Sequence, residues 1–173
     1  MSTYAAFNLK EWIDEHRHLL KPPVGNAQVF EDSDFIVMIV GGPNKRKDFH
    51  VNPTEEFFYQ IEGDISLGLM VDGQRQDVPI REGEVFLLPP NVPHSPQRPA
   101  NTVGMVVERK RPEGHNDHLR YYCESCGEVL YDPDFYLTNI VKQLKPLMEK
   151  FWSDESLRTC KSCGAVMQPP TAA

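Results

Sequence analysis

The fold is decided by the stretch 48-DFHVNPTEEFFYQIEG-63 and by a second stretch of the same character, 85-VFLLPPNVPHSPQRP-99. In both, short apolar runs are divided by Asn, Pro or Gly at turn positions. The alternation extends from about residue 28 to residue 109 without a helical period. Many short strands with no helices between them predict a mainly β sandwich or barrel. The clearest hairpin turn is Asp72-Gly73, because both residues tolerate the positive φ that a tight turn requires.

A helix is predicted ahead of the barrel, at residues 8–20, where the apolar side chains fall on one stripe. Asn8 is expected to be its N-cap and Glu11 occupies the capping-box position. Pro22-Pro23 would stop the helix.

The composition changes after Arg109. Residues 111–118 are predicted to form a polar loop, followed by short strands around the first cysteine pair. The segment 137–152 has a helical pattern that we expect to be broken or kinked at Pro146. We therefore expect residues 1–110 to form the barrel with its N-terminal helix. Residues 111–173 would form a small C-terminal tail packed on that barrel.

Charge and hydropathy argue against two classes of partner. The 173 residues carry a net charge of −7, with a pI near 5.3, so phosphate backbones and anionic membranes would repel the chain. The longest strongly apolar run, Phe35 to Val40, is far shorter than a membrane span, and no signal-peptide pattern opens the sequence. We expect a cytoplasmic protein that binds neither nucleic acid nor membrane.

Three residues of the two opening stretches form a candidate metal site: His50, Glu56 and His94. Two imidazoles and one carboxylate suit an open ferrous site, because three protein ligands leave adjacent coordination positions for substrate and O2. A single histidine is more often an ordinary core or surface residue, but the spacing of these three favours a shared ion. Strand alternation alone leaves open whether Glu55 or Glu56 is the carboxylate ligand.

Cysteines predict a second metal site. Cys123-x-x-Cys126 and Cys160-x-x-Cys163 have the two-knuckle layout of a zinc ribbon or rubredoxin. Four thiolates make a closed tetrahedral site, so we expect structural iron or zinc rather than a catalytic metal. Free buried thiols are the less favoured alternative.

Arg46, Arg98 and Glu108 are the candidate substrate residues. Arg46 lies four residues before His50 and Arg98 four after His94, so in extended chain each would face the same cavity as its neighbouring ligand. An Arg fork suits a carboxylate. Glu108 ends an apolar run, and a buried carboxylate there needs a partner, either a substrate amine or an arginine.

The two opening stretches resemble the cupin signatures at fixed offsets. The first signature is matched at His50, Asn52, Glu56 and Gly63, and the second at Gly83, Pro89, Asn91 and His94. This resemblance selects Glu56 as the carboxylate ligand. Asn52 stands where many cupins carry another metal-binding histidine, which implies a three-ligand site. The expected fold is thus a cupin double-stranded β-helix, or jelly-roll barrel.

Over nearly its whole length the chain resembles the 3-hydroxyanthranilate 3,4-dioxygenase family. The resemblance is carried by GGPNKRKDFHVNPTEEFFYQ, LLPPNVPHSPQRP, VVERKRP and the paired cysteines. It implies extradiol-type opening of 3-hydroxyanthranilate by O2 to 2-amino-3-carboxymuconate semialdehyde, on the route from tryptophan through kynurenine to quinolinate and NAD.

The same resemblance implies roles for particular residues. His50, Glu56 and His94 would bind Fe(2+), while Arg46, Arg98 and Glu108 would contact O2 or substrate. The tail would hold a rubredoxin-like iron that ring opening does not need, because some relatives lack it, and the protein would be a homodimer.

Two alternatives remain open from the residues alone. The barrel could carry another cupin chemistry, such as thiol oxidation, another ring cleavage or sugar-phosphate isomerisation. Alternatively, the protein could be a non-enzymatic sensor whose cysteine tail contacts a partner. The acidic composition disfavours nucleic acid as that partner.

Overall fold

The computed structural model describes residues 5–21 and 25–170. Helix α1 (Leu9–His16) continues as a 3-10 turn at Arg17–Leu19. The Asn8 side chain accepts hydrogen bonds from the backbone N–H of Lys10 at 2.9 Å and of Glu11 at 3.1 Å, so the predicted N-cap is confirmed. The expected stop at Pro22-Pro23 lies outside the described residues.

The strands fill the segment in which they were predicted and extend beyond it. They are β1 (Asn26–Gln28), β2 (Phe35–Gly41), β3 (Asp48–Val51), β4 (Glu56–Glu62), β5 (Ile65–Val71), β6 (Gln74–Ile80), β7 (Val85–Leu88), β8 (His94–Gln97), β9 (Val103–Arg109), β10 (Asp117–Tyr122), β11 (Val129–Tyr131) and β12 (Asp134–Phe135). Two further helices follow, α2 (Ile140–Ser153) and α3 (Glu155–Arg158).

These strands form two antiparallel sheets that enclose the core. One sheet has five strands in the order β1-β2-β9-β4-β7, and the other has the order β11-β10-β3-β8-β5-β6 with β12 added beside β10. The main apolar cluster takes residues from both sheets, among them Met38, Phe58, Leu67 and Val106. The predicted mainly β cupin-type barrel is confirmed. Helix α1 covers part of the outer face of the five-stranded sheet, where Trp12 and Ile13 pack against Ile39 and Val103.

The predicted hairpin at Asp72-Gly73 is also confirmed. Asp72 has φ 50° and Gly73 has φ 74°, and Val71 pairs with Gln74 across the turn. Positive φ at both central residues gives the turn a twist that matches the flanking strands.

The tail joins the barrel through backbone hydrogen bonds. Strand β10 pairs with β3 and places Leu119 directly opposite His50. On the tail side, Tyr121 of β10 stacks on Phe151 of α2 with ring centroids 3.8 Å apart. The tail therefore extends one sheet of the barrel, and its strand β10 lies beside the strand that carries His50.

Helix α2 differs from its prediction in two respects. It begins at Ile140 rather than residue 137, because Asn139 is its N-cap and accepts from the N–H of Lys142 at 3.0 Å. It also runs through Pro146 without a break. A proline removes one backbone hydrogen bond, and the burial of Phe151 against the tail core holds the remaining turns in place. Within 5–21 and 25–170, no helix has both the length and the apolar character that crossing a membrane requires.

Candidate metal and substrate site

The structure brings His50, Glu56 and His94 together from both sheets. His50 in β3 is directly opposite His94, the first residue of β8. Glu56 opens β4 in the other sheet, while its neighbour Glu55 is exposed, as strand alternation requires. All three candidate ligands are at most 4% exposed, and each offers a ligand atom within 4.8 Å of the others.

A carboxylate oxygen of Glu56 without a hydrogen-bond partner indicates that a cation fits between the three candidate ligands. Oε2 of Glu56 is buried without a hydrogen-bond partner, although it lies 3.1 Å from Nε2 of His94. A buried carboxylate oxygen left without a partner is costly. Two imidazole nitrogens and this oxygen form a donor set that a divalent first-row metal accepts.

Electrostatics favour the charge states that metal binding needs at two of the three candidate ligands, Glu56 and His50. Burial alone would raise the pKa of Glu56, but the imidazoles of His94 and His50 outweigh it and lower the pKa to about 2. Burial lowers the pKa of His50, which favours the neutral ring that a metal requires. Burial alone would lower the pKa of His94, but the charge of Glu56 and its contact with the ring outweigh that effect and raise the pKa.

Each candidate imidazole is also held through one ring nitrogen. Nδ1 of His94 lies 3.1 Å from the backbone carbonyl of Val92, and Nε2 of His50 lies 2.6 Å from Oδ2 of Asp117. Metal-binding histidines in proteins almost always have such a partner, which fixes the ring orientation.

The prediction that Asp117 and Arg111 lie in a polar loop is wrong, because both side chains are buried. Asp117 is fully buried in β10 and Arg111 is 4% exposed. The signal that could have located Asp117 is the alternation Asp117-x-Leu119-x-Tyr121, whose members are all buried. Arg111 has no comparable local signal.

Arg98 is a buried cation that has no acidic partner in the part of the chain that the structure describes. It is 3% exposed, and its guanidinium makes one hydrogen bond, from Nη1 to Oε1 of Gln60 at 3.3 Å. Among the residues described, no carboxylate is paired with it. Burial lowers its pKa to about 10, against the attraction of Glu56. A Cβ atom on Gly104 would lie 2.9 Å from Nη1 of Arg98, so the glycine leaves room for the guanidinium.

Arg46 is already paired. Its Nε lies 3.1 Å from Oδ2 of Asp48, its Nη2 makes a still shorter contact with the same oxygen, and a quarter of its side chain is exposed. Arg46 and Arg98 both feel the charge of Glu56. The two arginines therefore differ: Arg46 pairs with a carboxylate, whereas the described residues supply none to Arg98.

Glu108 pairs with Arg111, which the sequence did not single out as its partner. Its Oε2 accepts from Nη2 of Arg111 at 2.6 Å and from Nδ2 of Asn52 at 3.1 Å. Burial, with help from the charge of Glu56, raises the pKa of Glu108 to about 8, and Arg111 opposes that shift. Both protein bonds end on Oε2, so Oε1 is left for another donor.

A cavity of about 500 Å³ reaches this region. Its walls come from barrel strands, at Ile36 and Met38, and from the tail segment 136–140, and Glu108 and Arg111 lie on its lining. The metal-ligand cluster is not part of that lining, so the cavity meets the candidate site at Glu108. The tail supplies one wall of the cavity even though its cysteines lie elsewhere.

The four cysteines form the second cluster. Sγ of Cys123 lies 3.6 Å from Sγ of Cys163, and Sγ of Cys126 lies 3.6 Å from Sγ of Cys160. The two knuckles repeat each other: Gly127 (φ 78°) and Gly164 (φ 76°) follow the second cysteine of each pair, and the N–H of each glycine donates to the carbonyl of the first at 2.9 Å. Four thiolates at this spacing fit one tetrahedral metal ion.

The fold and the buried cluster of three candidate ligands define the class of the protein as a cupin-type barrel with a candidate metal site. A family model described as "3-HAO: 3-hydroxyanthranilic acid dioxygenase" matches residues 1–152. The chain belongs to the 3-hydroxyanthranilic acid dioxygenase family.

Individual relatives agree with that assignment. A 3-hydroxyanthranilate 3,4-dioxygenase from Jannaschia sp. (strain CCS1) is 55% identical, over 98% of this chain and 97% of the relative. One from Ruegeria pomeroyi is 52% identical over the same shares. Among solved structures, a cupin-2 domain protein from Shewanella frigidimarina has a TM-score of 0.49 and 19% identity, covering 60% of this chain and 94% of that chain.

Proposed function

We propose that this protein is a 3-hydroxyanthranilate 3,4-dioxygenase, which opens the ring of 3-hydroxyanthranilate with O2 to give 2-amino-3-carboxymuconate semialdehyde. The proposal depends on two buried side chains of the site, Glu56 and Arg98, whose polar atoms are incompletely bonded. Glu56 has a buried oxygen without a hydrogen-bond partner, and the buried guanidinium of Arg98 has no carboxylate among the described residues. A divalent cation completes the first group, and the carboxylate of an aromatic acid completes the second.

The metal would be Fe(2+), held by His50, Glu56 and His94. When bound, ferrous iron supplies the redox chemistry that couples O2 to an aminophenol ring, and a site with three protein ligands leaves positions for both. The protein's own part is to orient the substrate and exclude water.

Specific side chains would position the substrate. Arg98 would donate two parallel charge-assisted hydrogen bonds to the carboxylate. Oε1 of Glu108 would accept from the amine, since Oε2 is occupied by protein donors. Arg46, held by Asp48, would lie at the O2 and carboxylate side. Orientation of this kind, more than acid or base catalysis, would set the rate.

The test is oxygen uptake by protein reconstituted anaerobically with Fe(2+). Addition of 3-hydroxyanthranilate should consume equimolar O2, and Glu56→Gln should lose both iron and activity. Glu55→Gln is the matched control, because the neighbouring carboxylate is exposed, and it should keep both. Wild-type protein that is loaded with iron and consumes no O2 with this substrate would overturn the proposal.

The second metal and the cellular setting belong to the same proposal. The cysteine cluster would hold a structural iron, or zinc, as in rubredoxin-like knuckles. The enzyme would act in the cytoplasm, on the route through kynurenine to quinolinate and NAD.

A homodimer is also proposed, through the outer face of the five-stranded sheet. Val37, Val107, Phe57 and Leu87 form one apolar row across four adjacent strands. Leu87 is 54% exposed and Val85 beside it is 60% exposed. An exposed apolar row beside an edge strand is typical of a protein–protein interface. A second copy related by a two-fold axis would supply a surface of the same character.

A further inference from the structure

A chain of buried polar contacts leads from the metal ligand His50 to the candidate substrate residue Glu108. Nε2 of His50 lies 2.6 Å from Oδ2 of Asp117. The guanidinium of Arg111 donates to Asp117 through Nε at 2.5 Å and Nη2 at 2.6 Å. The same Nη2 donates to Oε2 of Glu108 at 2.6 Å.

Burial makes each of these contacts matter. The four side chains are between 0 and 4% exposed, so removing one partner leaves a buried polar group with fewer hydrogen bonds. Within the described chain, Arg111 has two carboxylate partners, Asp117 and Glu108. A planar guanidinium can bridge two carboxylates with fixed geometry, whereas a lysine ammonium acts as a single point charge.

We infer that Asp117 and Arg111 are positioning residues for the two halves of the site. Asp117 accepts the ring N–H of His50, which keeps the other ring nitrogen free of a proton for the metal. Arg111 donates to both Asp117 and Glu108. The positions of the candidate metal ligand His50 and of the candidate amine acceptor Glu108 are therefore fixed relative to each other. The inference rests on the proposed function for the role of Glu108, but its first half concerns metal binding alone.

The first test is the Fe(2+) affinity of Asp117→Asn. An amide in this place can donate towards His50 instead of accepting, which would favour the wrong tautomer of the ring. The dissociation constant for barrel Fe(2+), measured anaerobically in protein whose cysteine site is already filled, should rise roughly 10- to 100-fold.

Asp132→Asn is the matched control. Asp132 is a partly exposed carboxylate that also contacts a histidine and an arginine, His118 at 3.2 Å and Arg120 at 2.8 Å. It undergoes the same chemical change away from the barrel ligands, so Fe(2+) affinity should match wild type. If Asp117→Asn does not fold, the same titration is done with Asp117→Glu. The glutamate keeps the negative charge but displaces the carboxylate by one methylene.

Arg111→Lys tests the link to substrate. It leaves Asp117 in contact with His50 but cannot bridge to Glu108 with the same geometry. The KM for 3-hydroxyanthranilate should rise about tenfold, while Fe(2+) affinity changes less than in Asp117→Asn. A merely structural role would lower thermal stability in both variants without this separation of metal affinity from KM.

The outcomes separate the inference from the proposed function. Wild-type Fe(2+) affinity in folded Asp117→Asn would overturn the inference, but it would not contradict the proposed function. A wild-type protein inactive on 3-hydroxyanthranilate would overturn the proposed function, yet the Fe(2+) titration would still decide the role of Asp117. Equal loss of metal affinity in Asp132→Asn would also overturn the inference, because the effect would then not depend on contact with His50.

Discussion

Replacing Arg98 by methionine should make the metal-free protein more stable and the enzyme much less active. The fall of the Arg98 pKa to about 10 corresponds to roughly 3 kcal/mol of unfavourable free energy while the group is charged. Because this base has a lowered pKa, the unfavourable contribution is fully present at neutral pH. Methionine has a similar length and no charge, so Arg98→Met removes the contribution.

The net gain is smaller, because the substitution also loses the 3.3 Å hydrogen bond to Gln60, worth about 1 kcal/mol. About 2 kcal/mol remains, which should raise the melting temperature of a chain of this size by roughly 4–8 °C. Activity should move in the opposite direction. Loss of one partner of a buried charge pair costs at least about 2 kcal/mol, or roughly 30-fold in kcat/KM. Most of this loss should be in KM, with iron content unchanged.

The assays are thermal unfolding of substrate-free, metal-free protein and oxygen uptake with 3-hydroxyanthranilate after iron loading. Arg75→Met is the control, since Arg75 is half exposed and forms a salt bridge with exposed Asp77. The stability of this variant should change by less than about 0.5 kcal/mol. A normal kcat/KM in Arg98→Met would refute the role in carboxylate binding. A lower melting temperature would refute the reasoning from buried charge, and loss of iron would assign Arg98 to the metal site instead.

Three further changes test other parts of the molecule. Gly104→Ala places a methyl group 2.9 Å from Nη1 of Arg98. The value of kcat/KM in oxygen uptake should therefore fall about tenfold or more. An unchanged KM would show that the guanidinium can shift freely. The pair Cys123→Ser and Cys126→Ser should lower the melting temperature but spare activity per barrel iron, and a folded, iron-loaded, inactive variant would contradict this. Leu87→Lys should convert the proposed dimer to monomer in sedimentation velocity, and a dimer that persists would put the interface on another surface.

Much of the fold follows from local chemistry that is visible in the sequence. Asn8 caps α1 because its side chain reaches N–H groups two and three residues ahead. Asp72-Gly73 turns the chain because both residues tolerate positive φ. Strand alternation places Glu55 and Glu56 on opposite faces of the sheet, although it does not say which of the two points inward. Each of these features depends on neighbours in the chain, so no tertiary knowledge was needed.

Contacts between distant residues could not be predicted in the same way. His50 and Asp117 are separated by 67 positions, and they meet because β3 and β10 pair in a particular register. A polar, charged segment such as 111–118 is typical of a solvated loop. Its aspartate and arginine are buried here because each completes an ion network that only the folded sheet assembles.

The sequence predicts the candidate metal-binding side chains, the strand pattern and the paired cysteine knuckles, since these depend on residue identity and short spacings. It presented Arg46 and Arg98 as equivalent candidates. Only the tertiary structure distinguished them, by pairing Arg46 with Asp48 and burying Arg98 without a carboxylate among the described residues. The reason is physical: whether a charge is satisfied depends on distance and on loss of water, and both are set by how the sheets pack.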